Sequence, residues 1–194
     1  MSKKAAKAES QDTHKCQCNC NGHHDDSPAD WRAMLAEALP MLGHRNWIAI
    51  VDSAYPAQTR DGIDMIPVEA GQLEIVKIVL AAVDQARHLR PIIYMDAELR
   101  HIPERHAKGI AAYRRGLARL LKGRTVNELP HEQIIGELDQ AAKLFQILVL
   151  KSTLTLPYTS VFVQLDCGYW TEQAEKELRE ALRKASARAA DTGE

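Results

Sequence analysis

Apolar and polar positions alternate along the chain in two rhythms, one helical and one extended, which take turns over most of its length. Trp31, Met34, Leu35, Leu39 and Leu42 recur at helical spacing, with Ser27 placed as an N-cap and Pro28 at the first helical position. Pro40 interrupts that stripe, so the helix should kink or end early, and Gly43 should close it. Residues 47–51, Trp-Ile-Ala-Ile-Val, are short, apolar and β-branched and predict a buried strand, followed by a turn-rich segment over 52–62. Leu73, Val76, Leu80 and Val83, widened by Ile75 and Val79, predict a well-buried helix over roughly 70–87.

Residues 92–95 predict a second core strand. Residues 103–122 read as a helix with Ile110, Tyr113, Leu117 and Leu120 inward and a dense run of Arg and Lys on a solvated face. Pro130 marks the first position of a further helix over about 131–145. Two β-rich runs follow, 147–155 and 159–166, with a bend at Leu156-Pro157-Tyr158 between them. From Thr171, an N-cap, the spacing of Ala174, Leu178, Ala181, Leu182 and Ala185 predicts a charged terminal helix whose thin apolar stripe suits loose packing or a neighbour. Strands alternating with helices predict an α/β fold, a single domain with a central β-sheet flanked by helices.

The 194 residues fit one domain over 28–170, extended by the C-terminal helix over 171–194. Residues 1–27 are polar, Lys-rich and then Cys/His-rich, and hold too little apolar surface to offset ordering entropy, so a disordered tail is expected. Cys16, Cys18 and Cys20, with His14, His23 and His24, have the donor types for a soft or borderline metal, but their spacing is tighter than paired zinc knuckles. The reading taken is an unstructured thiol-rich tail, with no metal site and no cofactor. His88, His101 and His106 read as polar-face residues.

Lys and Arg number 25 against 26 Asp and Glu, so no global field draws the chain to nucleic acid or an anionic membrane. The longest apolar runs are far shorter than the roughly 20 residues of a membrane helix. A cytoplasmic protein with a small neutral ligand is the expectation.

His44 and Asp52 frame the first predicted strand, and a fully extended strand would hold them more than about 20 Å apart. They can share a site only if the loop after Asp52 folds back or a second subunit completes it. Taken singly, His44 reads as a capping or surface histidine, Asp52 as a turn residue and Tyr158 as a rim aromatic.

Together these residues stand in a longer pattern. Leu42-Gly43-His44 followed by Ile48-Ala49-Ile50-Val51-Asp52, then Ala54-Tyr55-Pro56, Ile63-Asp64-Met65, His131-Glu132-Gln133 and Pro157-Tyr158-Thr159-Ser160-Val161, resembles the ribose pyranase and fucose mutarotase family over roughly residues 29–170. The resemblance implies that fold, a monosaccharide ligand, and a ring-like homo-oligomer, a decamer, with sites shared between subunits. It implies His44 as proton donor and, with Tyr158, as a catalytic residue, and Asp52, His131 and Ser160 as sugar contacts. Arg60 is a further candidate contact. Ser160 stands where the family has Asn, which puts a short hydroxyl in place of an amide. Interconverting anomers or ring forms requires removing a proton from a hemiacetal hydroxyl and protonating the ring oxygen, work for which histidine's ordinary pKa is suited. A non-catalytic monosaccharide-binding or transport-associated module of the same fold is the alternative.

Overall fold

The computed structural model describes residues 30–191, with side chains through 186. The Cys/His-rich tail and the Ser27-Pro28 start signal lie outside the described residues. Helix α1 (Trp31–Ala38) is capped by Asp30, whose carboxylate accepts from the Arg32 N–H at 3.0 Å. As Pro40 requires, the α-helix stops at Ala38 and tightens into a 3-10 turn over Leu39–Met41. Gly43 does not supply a left-handed cap; the positive φ in this segment falls on Arg45, at 77°, while the Gly43 N–H bonds to the Asn46 side chain at 2.7 Å.

The remaining elements are β1 (Trp47–Val51), β2 (Ile63–Pro67), α2 (Gln72–Gln85), β3 (Leu89–Asp96), α3 (Ile110–Leu120), β4 (Val126–Leu129), α4 (His131–Ala141), β5 (Ile147–Lys151), β6 (Val161–Cys167) and α5 (Glu172–Asp191). The strands form one mixed sheet in the order β2-β5-β1-β6-β3-β4. β2, β5 and β1 are mutually parallel, β3 and β4 are parallel, and β6 alone runs against its neighbours β1 and β3. The C-terminal ends of five strands and the start of β6 therefore share one edge of the sheet, called here the carboxyl edge. Their opposite ends form the amino edge.

β1 lies at the centre and is buried along its whole length, because both faces of the sheet are covered. Ile48 and Ile50 face a core closed by α1, α2 and α3, while Trp47, Ala49 and Val51 face a smaller one closed by α4 through Ile134, Leu138 and Ala142. Two strands differ from expectation: β2 and β4 were not predicted. Each is an outer strand paired on one side and half-exposed, and Ile63-Asp64-Met65-Ile66-Pro67 and Val126-Asn127-Glu128-Leu129 lack the unbroken apolar run of an inner strand.

α3 begins at Ile110 rather than near Pro103. Gly109 takes φ of 97°, and the Glu104 carboxylate reaches forward to accept from the Gly109 and Ala111 N–H groups at 2.5 and 2.9 Å, so residues 103–109 form a capping loop. The first β-rich run ends at Lys151, where the chain turns away into residues 152–160. Thr171 caps α5 as expected, its hydroxyl accepting from the Ala174 N–H at 3.1 Å, and Leu178 and Leu182 on that helix remain exposed. Among the described residues, no helix is long and apolar enough to cross a membrane.

The loop over 152–160 is held from beneath by a buried polar network. The Gln72 amide donates to the Thr159 carbonyl and, at 3.2 Å, to the Tyr113 hydroxyl, while its oxygen accepts from Ser152 Oγ at 2.9 Å. Tyr113 itself donates to the same Thr159 carbonyl at 2.7 Å. Burial pushes the Tyr113 hydroxyl well above the usual tyrosine range, so it stays a donor. Because Gln72 is 1% exposed, removing it strands several buried partners. Gln72→Ala is expected to lower unfolding stability by about 2 to 3 kcal/mol and Tyr113→Phe by about 1 kcal/mol, read from urea melts. Glycines give a contrasting pair. A Cβ on Gly168 would sit 2.6 to 2.8 Å from the backbone of Arg87 and Leu89, whereas one on Gly136, on the exposed side of α4, meets nothing. Gly168→Ala should cost about 1 to 3 kcal/mol, and Gly136→Ala should stabilise by about 0.5 to 1 kcal/mol.

Candidate functional site

At the carboxyl edge, β3 ends on Asp96, which is 1% exposed, and α4 begins on His131 directly above it. Asp96 Oδ1 lies 3.0 Å from His131 Nδ1. Glu98, in the 3-10 turn that follows β3, accepts from the His131 backbone N–H through both oxygens, at 3.0 and 3.1 Å. The carboxylate thus satisfies an N–H that the first turn of a helix leaves without an intrahelical partner, and it complements the positive end of the helix dipole. The helix start is therefore fixed by one carboxylate and the imidazole by another.

The imidazole meets Tyr158 edge-on, with ring centroids 5.5 Å apart and planes at 90°. Tyr158 is 42% exposed and occupies the left-handed region, φ 53°, at the crest of the loop that Gln72 and Tyr113 anchor. A bulky residue in that region carries about 1 to 3 kcal/mol of strain, which the anchoring of Thr159 beside it sustains. Ser160 is buried and immediately precedes β6, in line with Asp96 and Val51 when the β6 register is extended by one residue. Asp52 leaves β1 on the same edge, two strands from Asp96 and so about 10 Å away, and its Oδ1 accepts from the Ala54 N–H at 2.8 Å in a tight turn.

Electrostatically the edge is acidic at its floor. Burial pushes the Asp96 carboxyl up; the hydrogen bond and charge of His131 draw it down, and Glu98 and Asp52 add to the rise. Among the described residues, Asp96 Oδ2 is buried with no hydrogen-bond partner.

His44 occupies the amino edge. Its Nδ1 lies 2.8 Å from Asp166 Oδ1, near the end of β6, and the other carboxylate oxygen of Asp166 takes Arg90 from β3. Burial works to raise the Asp166 carboxyl, but the bonds from Arg90, the Cys167 backbone and His44 outweigh it and hold the carboxyl below its ordinary range. His44 opens onto a groove of about 760 Å³, bounded by Arg45, Trp170 and the first turns of α5. Arg60 also sits at the amino edge, donating to the Asp139 carbonyl at 2.9 Å near the end of α4.

One chain therefore gathers Asp52, His131, Tyr158 and Ser160 at one edge of the sheet and places His44 and Arg60 at the other. The six residue steps from Ser160 to Asp166 set a separation of roughly 20 Å. Two residues of the carboxyl edge were missed from sequence, Asp96 and Glu98. Their signal was position: a carboxylate closing a core strand of an α/β sheet, where strand ends and the following loops build sites.

No protein-family profile and no curated protein matches the chain. Solved structures do. RbsD of Bacillus subtilis, complexed with D-ribose, aligns with a TM-score of 0.48 and 18% identity, over 69% of this chain and 92% of that one. FucU from Bifidobacterium longum aligns with a TM-score of 0.47 and 17% identity, over 69% and 94%. The fucose mutarotase of Streptococcus pneumoniae, in complex with L-fucose, aligns with a TM-score of 0.48 and 14% identity, over 73% and 97%. Each is a likeness of fold at low sequence identity.

Proposed function

We propose that the protein interconverts the anomers or ring forms of a free, ribose- or fucose-like monosaccharide by acid/base catalysis. The observation that carries this reading is the meeting of His131, Tyr158, Asp52 and Asp96 at one edge of the sheet: an imidazole held on a carboxylate, beside a half-exposed aromatic and a second carboxylate. Such a set matches the chemistry of a hemiacetal. Carboxylates accept from sugar hydroxyls, the tyrosine ring covers the apolar face of the sugar, and its hydroxyl donates or accepts.

In the reaction the anomeric hydroxyl loses its proton, its electron pair forms the carbonyl, and the bond from C1 to the ring oxygen breaks as that oxygen gains a proton. Rotation about the C1–C2 bond and reversal of the same steps returns the other anomer. Closure through a different hydroxyl returns the other ring size. One group must accept a proton while another delivers one, and no electrons leave the sugar.

His44 acts as the proton donor in this reading, with Tyr158 lining the reacting face. Since His44 and His131 lie at opposite edges of one chain, the donor comes from a second copy in a ring-like homo-oligomer, the amino edge of one subunit against the carboxyl edge of the next. Arg60, at the same amino edge as His44, accompanies it towards the sugar.

Exchange spectroscopy on anomeric protons, over a panel including ribose and fucose, tests the reading. Exchange well above buffer for at least one sugar is expected, with His44→Ala and Tyr158→Phe each reducing it by about 10² or more. Sugar binding without faster exchange would favour the non-catalytic module, and neither binding nor exchange across the panel would sink both. Subunit sharing has its own measurement: His44→Ala and His131→Ala chains, each inactive alone, should regain about a quarter of wild-type activity when co-refolded in equal amounts, because random mixing rebuilds that share of sites. No recovery would place both histidines in one subunit's site.

A further inference from the structure

We infer that Asp96 is a positioning residue that locks His131 as the Nδ1–H tautomer, so that its bare Nε2 is the base that takes the proton from the anomeric hydroxyl. The inference rests on the proposed sugar isomerisation for the use of that base, but its structural half stands apart from it. Three observations carry it. Asp96 Oδ1 lies 3.0 Å from Nδ1 and not from Nε2. The carboxylate is buried, with no partner for its second oxygen among the described residues, so a bond from Nδ1–H is the contact with this imidazole that compensates its burial. The His131 backbone is pinned by Glu98, so the ring turns only about its side-chain torsions, and the edge of the Tyr158 ring limits those.

A neutral imidazole has one N–H and one bare nitrogen. With the proton committed to Nδ1, the bare nitrogen is Nε2, across the ring from the contact with Asp96. The groups that face this pair are Glu98 from the turn after β3, Asp52 from the turn after β1, Tyr158 from the loop before β6, and Tyr113 from α3 beneath. These side chains are acidic or neutral; against them stand the positive end of the α4 dipole and, across a neighbouring cavity that Asp96 also lines, Arg100 and Arg114. A proton arriving on Nε2 makes an imidazolium whose Nδ1–H still bonds the Asp96 carboxylate, so the sugar's proton rests on a paired group. The burial that pushes the Asp96 carboxyl up is the strain of this arrangement, relieved when His131 becomes positively charged.

Histidine-selective ¹⁵N spectroscopy on the whole protein, with His131 assigned through His131→Gln, gives the readout. In its neutral form, wild-type His131 should show a protonated Nδ1 and a bare Nε2. Asp96→Ala should revert it to the Nε2–H form that free imidazoles favour, and the isosteric Asp96→Asn should show a mixture while keeping the fold. On the sugar that wild type turns over, Asp96→Asn should lower kcat by about 10²-fold with KM within about twofold. A wild-type His131 protonated on Nε2, or a tautomer unchanged in the folded Asp96→Ala protein, which has no acceptor left at this position, would overturn the inference whatever the activity. Correct tautomers in a protein that exchanges no sugar would leave Asp96 as the residue that orients His131 and would count against the isomerase reading alone.

Discussion

Burial of β1 on both faces governs the rest of the molecule. Five consecutive apolar residues, none more than 2% exposed, are removed from water between β5 and β6 and between two helical layers, each large side chain contributing about 1.5 to 3 kcal/mol. A strand so placed cannot slip by one residue, because a slip would exchange the sets facing the two cores: Ile48 and Ile50 on one side, Trp47, Ala49 and Val51 on the other. Its two ends are then committed. His44 precedes the strand and Asp52 follows it, so the polar groups nearest the best-buried element point to opposite edges of the sheet.

That constraint also explains which parts of the fold were legible. β1, β5 and the first half of β6 are inner strands, and they announce themselves as unbroken apolar runs. The outer strands β2 and β4 hold their place through one ladder each and tolerate Asp64, Asn127 and Glu128 on their faces, so their pattern reads as loop. α3 was drawn too long because its start is set by Gly109 and by a carboxylate five residues back, Glu104, a contact that crosses a loop and leaves no periodic trace.

The same division runs through the site. His131, Asp52, Tyr158 and Ser160 were visible as members of a pattern, but what holds them was not. Asp96, Gln72 and Tyr113 touch the site through separations of 35, 87 and 46 residues, to His131 and to Thr159. No local rule links a glutamine at the start of α2 to the carbonyl beside a strained tyrosine. The fold brings them together because α2 and α3 cover one face of the sheet while the loop before β6 crosses over its edge, and the buried polar network is the seam between them. The seam fixes Thr159, the residue that follows the left-handed Tyr158.

Both histidines are held in the same manner, by Nδ1 against an aspartate on β3 or β6: His131 on Asp96 at the carboxyl edge, His44 on Asp166 at the amino edge. Their surroundings differ. Asp166 shares its charge with Arg90 and lies near the surface, so its carboxyl is held low and remains an anion with or without a charged imidazole. Among the described residues Asp96 forms no ion pair with an arginine, one of its oxygens lacks a hydrogen-bond partner, and the bond to His131 eases its burial. The Asp96 pair therefore relies on the Nδ1 contact with His131, where the Asp166 pair has Arg90 as well. In the proposed reaction one proton is taken and another given across a single sugar, and the sheet holds one half of that exchange at each edge. A ring in which edges of unlike kind meet would bring the two halves together at every interface.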